Sequence, residues 1–129
     1  MTEDQNEPPL VLVLEDEPDV REILLLTLQI SGFRVVKAEN VREALDVIRD
    51  SVPAFMLVDI NMPRVDGLSF VRTIRATMPE PLRDVPIVAL SGLEPEEWRA
   101  KALSAGCNEF IGKPVDPNEL MDVIRRYTT

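Results

Sequence analysis

Residues 10–18 read Leu10-Val11-Leu12-Val13-Leu14-Glu15-Asp16-Glu17-Pro18, five apolar residues running straight into three acids and a proline. Three more apolar runs end comparably: residues 55–58 on Asp59, residues 87–90 on Ser91, and residues 110–111, past Gly112, on Lys113. Short, continuous apolar runs suit parallel strands covered on both faces. Open parallel sheets bind ligands outside the carboxyl ends of their strands. The four exits then bring two acids, a lone aspartate, a hydroxyl and an ammonium to one crevice.

Between these runs the apolar residues change to a helical period. Pro18 suits the first position of a helix, with Asp19 and Glu22 near its positive end and Val20, Ile23, Leu24, Thr27 and Leu28 as its expected buried side. Gly32 ends that helix, and residues 33–38 form a further strand. Asn40 and Glu43 have capping-box spacing before a stripe of Val41, Ala44, Leu45 and Ile48, and Pro53 closes the unit. After Asp59, the loop from Met62 through Asp66-Gly67 feeds a helix with Leu68, Val71 and Ile74 inward, ending near Met78-Pro79. Pro95 and Gly106 bracket the next helix. Asp116-Pro117 with Glu119 opens the last, with Leu120, Val123, Ile124 and Tyr127 inward. Five strands alternating with five helices imply an α/β fold, a doubly wound parallel sheet whose commonest order is 2-1-3-4-5. Residues 1–9 are expected to be a flexible leader and residues 10–127 a single domain.

The chain has 129 residues, 45% of them apolar, enough for one core without disulfides. Fourteen basic against 23 acidic residues give −9, with no basic run to neutralise several phosphates, so direct nucleic-acid binding is not expected. The polar start and the lack of any run of membrane-spanning length argue against an anchor. The single Cys107, placed before a strand, suits a reduced thiol in the cytoplasm. Histidine is absent, which removes Ser-His-Asp and Cys-His nucleophiles and most zinc sites. It also rules out a phosphohistidine on this chain.

Carboxylates must then carry any phosphoryl chemistry. Three of them a few ångströms apart repel by about 1 kcal/mol per pair in water and about 4 at an effective dielectric near 20. A divalent cation relieves that repulsion, and Mg²⁺ needs only one or two carboxylates, a carbonyl and waters. The expected set has Asp16 and Asp59 as direct ligands, Glu15 acting through water, and the backbone carbonyl of Asn61 as a further ligand. Lys113 is one of three lysines against eleven arginines, placed to pair with Asp59 and then with a phosphoryl oxygen. Ser91 alone reads as a turn former; in the crevice it donates to a bound phosphoryl group. Trp98 reads equally as a core aromatic beside Ala102 and Ala105 or as an interface residue.

Leu14-Glu15-Asp16-Glu17-Pro18, Leu57-Val58-Asp59-Ile60-Asn61-Met62-Pro63, Asp66-Gly67, Ala89-Leu90-Ser91-Gly92 and Lys113-Pro114 occur in this order. In that ordered combination the chain resembles the receiver domain of two-component response regulators, over about residues 10–127. The resemblance implies a flavodoxin-like fold and a phosphoacceptor Asp59, served by a phosphohistidine on a sensor kinase or histidine phosphotransfer protein. It further implies Mg²⁺ at Glu15, Asp16, Asp59 and Asn61, Lys113 as the phosphate-contacting lysine, Ser91 as the switch hydroxyl, and a cis Lys113-Pro114 bond. Phe110 takes the place of the switch aromatic, expected to swing inward when Ser91 moves. A downstream protein would then read the face of the fourth helix, fifth strand and fifth helix, including Trp98, Lys101, Phe110 and Arg125. Two other readings stand beside this one. A haloacid-dehalogenase-type phosphatase wants an acid two residues after the nucleophile, where this chain has Asn61; a phosphorylation-independent binding module usually lacks an acid or the lysine, and this chain keeps both.

Overall fold

The computed structural model describes residues 8–61, 67–92 and 95–128. Strands β1 (Leu10–Leu14), β2 (Arg34–Ala38), β3 (Phe55–Asp59), β4 (Ile87–Ser91) and β5 (Glu109–Gly112) form one parallel sheet ordered β2-β1-β3-β4-β5. Helices α1 (Pro18–Ile30), α2 (Val41–Asp50), α3 (Gly67–Thr77), α4 (Pro95–Ala105) and α5 (Pro117–Thr128) cover both faces, and a 3₁₀ turn, Leu82–Asp84, precedes β4. The flavodoxin-like expectation holds. The strand ends shift by a residue or so from the sequence reading, because backbone pairing continues through Asp59, Ser91 and Gly112 after the apolar run has stopped. Among the described residues no helix is long and apolar enough to cross a membrane.

Period-two alternation divides the core in two. Leu12, Leu14, Met56, Val58, Ala89 and Phe110 face α2, α3 and α4; Val11, Val13, Leu57, Leu90 and Ile111 face α1 and α5. Continued to the strand exits, the same parity sends Glu15, Asp59 and Lys113 to one side of the sheet rim and Ser91 to the other, with Phe110. β1, β3 and β4 are buried almost throughout, which is why they read as unbroken apolar runs.

α1 departs from the expected stripe. Ile23 is 61% exposed and Leu25 is buried with Leu24 and Leu28. At 100° per residue, Leu25 lies nearer the centre of the Leu24–Leu28 face than Ile23 does. In α2, Asn40 caps as expected, its Oδ1 accepting from the Glu43 N–H at 2.9 Å. The Glu43 carboxylate, however, accepts from the Glu39 N–H at 2.8 Å, one residue ahead of the usual capping-box partner. Asp116 caps α5 by accepting from the Asn118 N–H. Arg75 ties the far ends of α3 and α4 together, donating to the carbonyls of Gly106, Arg83 and Val85 and to Asn108 Oδ1. Burial holds the Cys107 thiol up at about 12, so it is protonated at neutral pH. Residues 1–7, most of the expected leader, with Met62 to Asp66, Leu93, Glu94 and Thr129, lie outside the described residues.

Candidate phosphoryl-transfer site

The sheet register assembles the site. Leu14 pairs with Val58, so Glu15 follows one strand across from Asp59; Asp59 pairs with Leu90 and Ser91 with Gly112, immediately before Lys113. Neighbouring strands are roughly 4.8 Å apart, so Lys113 starts two strands from Asp59 and its four-carbon stem spans the gap. The Lys113 ammonium donates to Asp59 Oδ2 at 2.6 Å and stands 2.8 Å from Glu15 Oε1. The Lys113-Pro114 peptide bond is cis, as the resemblance implied; Glu80-Pro81 is cis as well.

Glu15, Asp16 and Asp59 each offer a carboxylate oxygen within 4.8 Å of the others. Glu15 is fully buried and Asp59 is 4% exposed. Burial pushes the Glu15 carboxyl up to about 7; the Lys113 ammonium beside it opposes this and the neighbouring Asp59 adds to it. Burial pulls the Lys113 ammonium down, yet its bonds to Asp59 and Glu15 outweigh that and raise it overall. One lysine thus holds two crowded acids. Glu15 Oε1 receives no well-directed hydrogen bond among the described residues and is met by the Lys113 charge alone, while Oε2 accepts from the Glu17 N–H at 3.2 Å. An underserved carboxylate oxygen beside two further acids fits a hard, oxygen-seeking divalent cation.

The other expected members are close by. Asp59 Oδ1 accepts from the Asn61 N–H at 2.8 Å, which turns the backbone at Asn61 around the carboxylate. The Ser91 hydroxyl donates to Asn61 Oδ1, a partner the sequence reading did not foresee. Phe110 is 4% exposed in this structure, with the Arg99 guanidinium 5.0 Å from its ring centroid. Trp98 packs partly against the core, in keeping with its core reading, and Lys101 lies 4.3 Å over its ring.

Two further contacts escaped the sequence reading. The first is the Glu15–Lys113 pair, which becomes visible only once β1 and β5 are placed on one rim. The second is Arg21, whose Nη1 donates to the carbonyls of Glu15 at 3.0 Å and Asp16 at 3.4 Å. A signal for it was present: a cation near a helix N-terminus opposes the macrodipole and so implies a specific partner.

Gly67, at the start of α3, packs on the β3 exit so closely that a Cβ would lie 2.5 Å from the Asp59 carbonyl oxygen and 2.8 Å from Ile60 Cα. Backbone cannot yield there as a flexible side chain would. Gly67→Ala is expected to cost about 1–3 kcal/mol, as overpacking does, and to displace Asp59. Urea denaturation gives the first effect; an unchanged midpoint would contradict the close approach.

A parallel sheet with an acid-and-lysine crevice at the point where β1 and β3 diverge defines a doubly wound, flavodoxin-like protein of the CheY-like type. Residues 11–125 match the response regulator receiver domain, and this chain belongs to that family. Response regulator Rre1 of Synechocystis sp. is 37% identical over 120 residues, 92% of this chain and 51% of that protein. The chain spans about half the length of several curated relatives it matches, transcriptional regulators among them. The chemotaxis protein CheY4 of Vibrio cholerae matches with a TM-score of 0.83 at 26% identity, over 93% of this chain and 98% of that one. The receiver domain of sensor histidine kinase PA1611 from Pseudomonas aeruginosa, solved with magnesium coordinated in its active site cleft, matches at 0.83 and 30% identity, over 93% and 97%.

Proposed function

We propose that this chain takes a phosphoryl group from a phosphohistidine on a sensor kinase or phosphotransfer protein, holds it on Asp59, and changes a protein-binding face in response. The observation that carries this reading is the setting of Asp59: a nearly buried carboxylate with an ammonium 2.6 Å away and two further acids whose oxygens lie within 4.8 Å. A nucleophile in such a place is aimed, dry and flanked by opposite charge. In the transfer, the phosphorus–nitrogen bond of the donor breaks, its electron pair returns to the imidazole, and a phosphorus–oxygen bond forms to an Asp59 oxygen.

Glu15, Asp16, Asp59 and the Asn61 carbonyl would hold Mg²⁺, which supplies charge neutralisation for the transferred phosphoryl oxygens. Lys113, already on Asp59, follows the new negative charge outward onto a phosphoryl oxygen. The added group carries roughly −2 charge and strong acceptors, so it also competes with Asn61 for the Ser91 hydroxyl. Ser91 lies on the side of the sheet that faces α4 and Phe110, so its movement is felt there. The reader of that change is a protein docking on α4, β5 and α5. With −9 charge, the chain itself acts through protein contact and not through nucleic-acid phosphates.

The test is intact mass after incubation of the full chain with a small phosphodonor such as acetyl phosphate. We expect a gain of one phosphoryl group with Mg²⁺ and background labelling after chelation. Equal labelling with and without the cation would overturn the metal's role, and no labelling under any condition would overturn the function.

A further inference from the structure

Glu15 and Asp16 must turn their carboxylates into the crevice immediately after leaving β1, although two adjacent acids gain hydration by pointing into water. Their main-chain groups show what holds them. The Glu15 N–H donates to the Ala38 carbonyl on β2 at 3.1 Å, and its own carbonyl accepts from Arg21 at 3.0 Å. The Asp16 carbonyl accepts from the same Arg21 nitrogen at 3.4 Å. The second guanidinium nitrogen lies 3.7 Å from Glu39 Oε1, in the loop that follows β2. With both peptide groups of Glu15 occupied on the β2 side, its carboxylate is left to the β3 side, where Lys113 and Asp59 are. Arg21 is itself 11% exposed at the side chain, so its fork is held by packing as well as by these acceptors.

We propose that Arg21 is a positioning residue for the acid pair: it clamps the Glu15 and Asp16 carbonyls and thereby sets the carboxylates for a divalent cation. This rests on the reading of the crevice as a magnesium site. Arg21 touches neither the cation nor the phosphoryl group, and its effect is on geometry. Its charge and its geometry have opposite signs here. Removing a nearby positive charge alone would tighten a divalent cation; losing the clamp loosens it. Partners that orient metal ligands typically change affinity by 10–100-fold when lost.

The decisive variant is Arg21→Met, which keeps the apolar stem and removes fork and charge together. Calorimetric titration with Mg²⁺ should give a Kd raised about 10-fold, at the low end of that range because Lys113 still orients Glu15. Phosphoryl uptake at saturating Mg²⁺ should stay within about twofold of wild type, since the clamp acts on affinity. In the metal-free protein, the Glu17 amide, which bonds the Glu15 carboxylate, should exchange its hydrogen faster, while core amides of β3 are unchanged. A Kd equal to or below that of wild type, or an unchanged Glu17 amide, would overturn the assignment. Arg21→Lys, which keeps the charge on a shorter stem without the fork, guards against a folding failure: a Kd raised about threefold supports the clamp and an unchanged Kd defeats it. If the wild-type chain binds no Mg²⁺, the site reading fails, and the exchange measurement still judges Arg21.

Discussion

Asp59→Asn is expected to take up no phosphoryl group under conditions that label the wild-type chain to completion. The substitution keeps the size of the side chain and deletes the nucleophile. Asn61 N–H keeps an amide oxygen to bond, and Lys113 keeps Glu15 at 2.8 Å, so the fold has no reason to fail. Removing one of two crowded buried acids also relieves repulsion, so the variant should melt no lower than wild type in the absence of Mg²⁺. Labelling and melting together make the test sharp. A mass gain equal to wild type would show that another group accepts the phosphoryl, and loss of folding would show that the Asp59–Lys113 pair is a stabilising contact and not a poised one.

Lys113→Met is expected to have the second-largest effect, on two observables at once. Uptake should fall by about 10²–10³, the range seen when one aimed charge is removed from a developing anion. Stability should fall too, because Glu15 and Asp59 lose the cation that faces them. Breaking a buried pair typically costs about 3–5 kcal/mol; with Lys113 20% exposed at the side chain and Glu15 free to take up a proton, we expect about 2–3. Chemical denaturation of the metal-free protein measures it. Added Mg²⁺ should restore part of the loss in wild-type-like proportion to its binding, since a ligand held only by the folded state stabilises it. Full uptake in Lys113→Met would remove the lysine from the mechanism.

The sequence was most legible where one physical demand ruled a segment. β3 is apolar from Phe55 to Val58 because both of its faces are covered, and that continuity places it at the centre of the sheet. Pro18, Asn40 and Asp116 mark helix starts by local chemistry, two of them with the side-chain caps the residue types imply. Where two demands overlap, the reading slipped. Ile23 is as apolar as Leu25, and the docking of α1 on β2 and β1 fixes which one is covered. For Phe110 the apolar run shows only that the ring is buried; that the Arg99 guanidinium lies 5.0 Å from it is decided by how α4 packs on β5.

From the amino acids alone follow the alternation of strand and helix, the residue types waiting at each strand exit, and their class of chemistry, because burial, capping and charge act over a few neighbouring positions. Only the folded sheet decides that one lysine spans two strands to hold Glu15 as well as Asp59, that Asn61 takes the Ser91 hydroxyl, and that Arg21 reaches back to the acid loop. Those contacts join residues from 5 to 98 positions apart. Their geometry is set by strand register and lateral spacing, which no local pattern of residues encodes.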